Sequence, residues 1–168
     1  KIKKEKNGSL LSTSSQTVIK NVHLEQPEVF LNKISLPKVM DIASKVLQDE
    51  FILSNFNASL PGKTGGSRVH IDSRVPISDF RSTLQIVATL CIDDFTIKNG
   101  STIVWPHTHK SGKDPKYVKR KSPYRGIQVN VPQGSIIYVL GQTWHDVGPN
   151  LNDQKRWGII AYYSRWWI

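Results

Sequence analysis

From residue 51 onward the chain is a series of short apolar or alternating runs, each ended by a turn signal, and this spacing constrains the fold more than any other feature. The runs "FILSNFNASL", "RVHID", "STLQIVATLCI", "STIVWP", "GIQVNVP", "GSIIYVL" and "WGIIAYYSRWW" read as strands, and "PGKTGGS", "KNG", "PQG" and "VGPNLND" read as turns. One segment ahead of them has helical periodicity. In "LPKVMDIASKVLQDE", Pro37 stands early and Val39, Ile42, Ala43, Val46 and Leu47 follow the 3.6-residue period. Seven or so strands beside one helix, with no strand-helix alternation, point to an antiparallel barrel or a two-sheet jelly roll. Residues 1–36, Ser/Thr-rich in "SLLSTSSQTVIKN" with a strand expected at 17–20, read as a partly irregular N-terminal segment, and 37–168 as the domain proper.

A chain of 168 residues suffices for one domain with a core, and 38% hydrophobic residues with five tryptophans describe a globular composition. The single cysteine, Cys91, lies in an apolar run, so no disulfide can form within the chain and a reducing compartment is expected. No apolar stretch approaches the roughly 20 residues of a membrane span, and the Lys-rich start has no apolar run behind it. The expectation is a cytoplasmic protein whose true N-terminus, given an opening Lys, is missing. The formal charge of +10 is concentrated in residues 1–6 and 109–125. Such runs attract anions or form a solvated face. No helix-turn-helix, zinc-finger spacing or aromatic-basic interleaving accompanies them, so a nucleic-acid partner is not expected and a small-molecule substrate is.

The stretch "RVHIDSRVP" carries the first chemical signal. On a strand, His70 and Asp72 project from one face and Ile71 from the other. An imidazole and a carboxylate converging there suit a divalent first-row metal, and a second His would complete a two-His-one-carboxylate site. "GSIIYVLGQTWHDVGPN" supplies His145 after a strand and a turn. Eleven residues later Arg156 opens the last strand, and its guanidinium fork can hold a carboxylate through two hydrogen bonds. Taken singly, each is also readable as an ordinary surface residue.

Taken together and in order, His70-x-Asp72, "CIDDFTIKNGSTIVWPHTHK", "PQGSIIYVLGQTWHDVGPN" and Arg156 resemble the phytanoyl-CoA dioxygenase family of iron(II)- and 2-oxoglutarate-dependent oxygenases. The family pattern places "LDD-T-ENGA---VPGSH" after the first ligands and "GD---F-----HG-GPN" around the second His. The match runs from about residue 42 to 163. The resemblance implies a mainly β double-stranded β-helix (jelly roll) with one or two flanking helices. It also implies iron(II) bound by His70, Asp72 and His145, with Arg156 gripping the distal carboxylate of 2-oxoglutarate. Dioxygen would be the co-reactant, succinate and carbon dioxide the co-products, and hydroxylation of a small or carrier-linked substrate the outcome; that the substrate is anionic is an expectation from the basic run of 110–125, not from the resemblance. Asp72 fills the place that related halogenases leave open for halide. Gln85 and Thr89 would hydrogen-bond the 2-oxoglutarate from an inner strand.

Two departures from the pattern leave alternatives open. "PHTH" replaces Pro-Gly-Ser-His, so His107 and His109 could join His145 in a cupin-type three-histidine site. The elements that precede the barrel are expected to be reduced or absent. A non-catalytic jelly-roll binding module is a further reading. Trp105, Trp144, Trp157, Trp166 and Trp167 are expected in the core or at its rim, with Trp144 near enough to His145 to wall the site. Oligomeric state and substrate identity have no sequence signal.

Overall fold

A computed structural model describes residues 2–4, 9–66, 68–73, 82–115 and 125–168. Strands β1 (Ile2–Lys4), β2 (Ser9–Ser12) and β3 (Gln16–Lys20) are followed by helices α1 (Val22–Glu25), α2 (Pro27–Ile34) and α3 (Pro37–Leu47). Then come β4 (Phe51–Pro61), β5 (Gln85–Cys91), β6 (Thr102–Val104), a 3-10 turn at Thr108–Lys110, β7 (Ile127–Gln128), β8 (Ile136–Leu140), β9 (His145–Val147) and β10 (Gly158–Arg165). A seven-stranded sheet runs β1-β2-β3-β4-β10-β5-β8, and a three-stranded sheet runs β7-β6-β9. Every pairing is antiparallel. This is the two-sheet jelly roll.

Alternation along the central strands divides the large sheet into two working faces. Phe56 and Ala58 of β4, Ile86 and Ala88 of β5, and Ile159, Ala161 and Tyr163 of β10 form one buried cluster with Val39, Ala43 and Leu47 of α3. Those helix positions recur every fourth residue and lie on one stripe, which is why α3 lies flat on the sheet. Pro37 pre-sets the first turn of α3, and Gln48 closes it in the left-handed region at φ 52°. Tyr163 links sheet to helix by donating its hydroxyl to the Ile34 carbonyl. Asn57, Ser59, Val87, Thr89, Ile160 and Tyr162 point to the opposite face, toward the small sheet.

The N-terminal segment is more regular than its sequence suggests. Residues 9–34 supply two strands and two helices, and β3 is hydrogen-bonded along β4 from Gln16↔Pro61 to Lys20↔Asn57. The elements ahead of the barrel are therefore present. "RVHID" differs in the other direction, because it forms no ladder strand. Its contact with β9 is a single bridge in which His70 and His145 exchange both backbone hydrogen bonds at 3.0 Å. Immediately afterwards the Asp72 and Ser73 amides both donate to the Gly141 carbonyl, turning the chain.

Candidate metal centre

His70, Asp72 and His145 meet although two of them do not lie on a regular strand. The backbone bridge to β9 holds His70 beside His145, and the Gly141 carbonyl holds Asp72 below them. The ligand-type atoms of all three lie within 4.8 Å of one another. His145 Nε2 is 3.2 Å from Asp72 Oδ2, and His70 Nε2 is 3.9 Å from Asp72 Oδ1. Each ring is oriented from behind. His70 Nδ1 sits 3.0 Å from the Arg68 carbonyl and His145 Nδ1 2.9 Å from the Thr143 carbonyl. A carbonyl can only accept, so Nδ1 carries a proton in both rings, and Nε2 is the ring nitrogen presented to Asp72. This arrangement is the usual support of a metal-binding imidazole. Among the described residues no other cluster of three such side chains lies this close together.

The electrostatics favour positive charge at His145. Burial opposes a charge on His145, yet the Asp72 carboxylate, the Thr143 carbonyl and the Asp146 charge outweigh it and raise the pKa above the ordinary 6.5. His145 and Asp72 are mostly shielded, whereas the His70 side chain is 42% exposed, so the centre opens to one side. It faces a cavity of about 130 Å³ between the two sheets.

Arg156 lies buried at one end of the inner layer, only 3% exposed. Its guanidinium carbon stands 3.9 Å above the Phe95 ring, and Nη2 donates to the Gly100 carbonyl. The absence of a side chain at Gly158 makes this position available: a Cβ there would come 2.9 Å from Phe95 and 3.4 Å from both Arg156 Nη1 and Thr89 Cγ2. Thr89 lines the cavity, and its Cγ2, like Arg156 Nη1, borders the space over Gly158. Burial lowers the Arg156 pKa to about 10, with Cys91 and Asp93 partly offsetting it, so the group is a cation at neutral pH. Arg156 Nε and the fully buried Ser101 Oγ have no hydrogen-bond partner among the described residues. Arg156 is not among the residues that line the cavity; its buried, under-partnered guanidinium has the chemistry of a carboxylate receptor.

Gln85 lies elsewhere. It shares a face with Thr89 but sits at the far end of β5, where its Nε2 donates to Ser164 Oγ at 3.1 Å and its Cβ packs near Gly141. His107 caps the 3-10 turn in the left-handed region and His109 lies within that turn; neither joins the His70–Asp72–His145 cluster. Trp144 is buried, but its indole N–H donates to the Lys113 carbonyl at 2.7 Å and its ring is not among the cavity-lining groups. Trp166 and Trp167 are half exposed at the end of β10. Of the basic run, residues 116–124 lie outside the described residues.

Sequence reasoning passed over the wall facing the metal centre, made by Gln16 and Val18 of β3 with Asn57 and Ser59 of β4. A signal was present, since "SNFNAS" puts Asn55, Asn57 and Ser59 on one face of a long strand. It also passed over Phe95 and Asp146.

The family sequence model for phytanoyl-CoA dioxygenase (PhyH) matches residues 1–158. The chain belongs to the phytanoyl-CoA dioxygenase family. It is 27% identical over 134 residues to the dioxygenase af480 of Aspergillus fumigatus, covering 76% of this chain and 42% of that protein, so it spans less than half of that relative's length. Among solved structures it superimposes on the non-haem α-ketoglutarate-dependent epimerase SnoN of nogalamycin biosynthesis. That match has a TM-score of 0.75 and 15% identity, over 95% of this chain and 67% of that one. The carbocyclase SnoK of the same biosynthesis gives 0.74 and 14% over 95% and 69%. AviO1 of Streptomyces viridochromogenes gives 0.72 and 16% over 96% and 75%. At these identities the likeness establishes the shared jelly-roll fold. SnoN has also been solved with Fe3+, α-ketoglutarate and nogalamycin RO bound. Where the phytanoyl-CoA dioxygenase pattern has Gly after its second His, this chain has Asp146.

Proposed function

We propose that this chain is an iron(II)- and 2-oxoglutarate-dependent oxygenase that hydroxylates a small or carrier-linked organic substrate. The observation that carries this reading is the convergence of His70, Asp72 and His145 with both Nε2 atoms turned inward. The donor set fits a first-row divalent ion with positions left open. When bound there, iron(II) and 2-oxoglutarate together supply dioxygen activation coupled to oxidative decarboxylation.

The chain's own residues perform the remaining tasks. Asp72 neutralises charge on the ion, while the Arg68 and Thr143 carbonyls hold the two imidazoles in register. Arg156, stacked on Phe95, would bind the distal carboxylate, and Thr89 would offer the cosubstrate a hydroxyl from the cavity wall. Asp72 and His145 are largely shielded from water while His70 is more exposed. An intact triad with a buried Arg156 favours turnover over a binding module.

Hydroxylation is the outcome proposed here, although relatives of this fold also include an epimerase and a carbocyclase. The test is succinate release from 2-oxoglutarate by iron-loaded protein, measured with and without candidate substrates. Wild type should form succinate and His145→Ala should not. Equal rates in both, or none in wild type with any substrate offered, would refute the proposal.

A further inference from the structure

The cavity beside the metal centre has a composition that bears on what enters it. Opposite His70, Asp72 and His145 stand Asn57, 6% exposed, and Ser59, 3% exposed, both on the inward-facing side of β4, with Gln16 beside them on β3. Asn57 accepts a long hydrogen bond of 3.4 Å from the Asn21 amide through Oδ1, which leaves its amide N–H groups for the cavity. On the metal side Asp146 lines the same cavity. One of its oxygens accepts from the Val147 amide at 2.8 Å, and the carboxylate occupies the space a side chain at Gly66 would need, since a Cβ there would come 1.7 Å from Oδ1. Among the described residues no Lys or Arg pairs with Asp146, and none lines the cavity.

We infer that Asn57, Ser59 and Asp146 form the subsite for the reacting end of the substrate, and that this end carries an O–H or N–H donor, a hydroxyl or an ammonium group, and no anionic group. The inference rests on the iron and 2-oxoglutarate reading above. Within that reading the charges of the ion, Asp72, the 2-oxoglutarate dianion and Arg156 cancel, so among the described residues Asp146 adds one uncompensated negative charge to the cavity. An anion would meet that field at close range in a poorly solvated space. A bare alkyl chain would strip water from Asn57, Ser59 and Asp146 while offering them no hydrogen bond, and a site built for donors rejects the analogue that lacks them. A donor satisfies the free oxygen of Asp146, and Asn57 and Ser59 take up the acceptor atoms of the same group.

The test uses iron(II)- and 2-oxoglutarate-loaded protein under anaerobic conditions and three ring probes differing in one substituent: cyclohexanol, cyclohexylammonium and cyclohexanecarboxylate. Affinity is measured by ligand-observed NMR, with the iron–oxoglutarate charge-transfer band recorded in each sample. The alcohol and the ammonium should each bind at least tenfold more tightly than the carboxylate. Asp146→Asn should cut the ammonium's affinity at least tenfold while changing the alcohol's less, and Asn57→Ala should weaken both. The charge-transfer band should persist in both variants, which separates loss of the subsite from loss of the metal centre. Carboxylate binding as tight as that of the other two, or an Asp146→Asn protein with wild-type affinity for the ammonium, would overturn the inference. Absence of the band in wild type would overturn the cosubstrate reading, and the inference with it.

Discussion

Replacing Arg156 separates two effects that usually travel together. In the wild-type protein Arg156 is 3% exposed, its guanidinium stacked 3.9 Å from Phe95 and hydrogen-bonded to the Gly100 carbonyl, with Nε unpartnered among the described residues. Its pKa of about 10 keeps it charged at neutral pH, so among the described residues the ligand-free fold holds a buried cation with no carboxylate in salt-bridge contact. Breaking a buried ion pair is costly because it strands a charge, whereas here Gln removes a charge already stranded. Arg156→Gln should therefore change the ligand-free melting temperature by only a few degrees, about what 1 kcal/mol produces in a domain of this size. Cosubstrate binding should respond differently. A hydrogen bond to a charged group contributes roughly 1.5–3 kcal/mol, so loss of the fork should weaken 2-oxoglutarate by about 10–100-fold. Arg156→Lys keeps the charge but not the planar two-point geometry, and should fall between wild type and Gln. Anaerobic titration of 2-oxoglutarate into iron-loaded protein, following the charge-transfer band, gives the three affinities. Equal values in all three proteins would refute the assignment and make Arg125 the next residue to examine.

Thr89→Val should weaken 2-oxoglutarate in the same titration while Gln85→Leu leaves it within twofold, because Thr89 lines the cavity and Gln85 is tied to Ser164; the reverse order would show that Gln85 reaches the cosubstrate. Leu47→Ala empties a fully buried position under the large sheet and should cost roughly 2–5 kcal/mol in denaturant unfolding, with iron stoichiometry unchanged since α3 packs on the face away from the metal; a cost below about 1 kcal/mol would contradict the packing described. Burial raises the Cys91 thiol from its ordinary 9.0 to about 11, with Arg156 pulling the other way, so the native protein should resist thiol reagents at pH 8. Above pH 9 an unfolded thiol ionises while the folded one keeps its proton, so this group's contribution to stability should be lost as pH rises from 9 toward 11. Rapid labelling of native protein at pH 8 would contradict that burial.

The parts of this molecule that were legible in the sequence are those whose signals are local. Strands β4, β5, β8 and β10 and helix α3 each carry their own periodicity, and the spacing of His70, Asp72, His145 and Arg156 survives in one dimension. Helices α1 and α2, of four and eight residues, are too short for a periodic pattern to emerge, and neither has a side-chain cap at its start. The regularity of "RVHID" was overread, because its geometry comes from the His145 and Gly141 backbones, which no local pattern contains. Alternation correctly gave the face of Gln85 but not its depth along the strand, and depth decides whether a polar group meets the cavity or Ser164. Phe95 under Arg156 and Gly66 against Asp146 are contacts between distant segments, visible only once the two sheets are assembled.

The claim at the centre of this account is that one ion is held by His70, Asp72 and His145. Anaerobic titration of iron(II) into the metal-free protein tests it, repeated for His70→Ala, Asp72→Ala, His145→Ala and, as a comparison, His107→Ala. Wild type and His107→Ala should take up one ion per chain with equal affinity. Each of the other three should lose at least tenfold, since removal of a ligand should exceed the 10–100-fold typical of changes behind the ligands. Full occupancy in Asp72→Ala together with loss in His107→Ala would contradict the account.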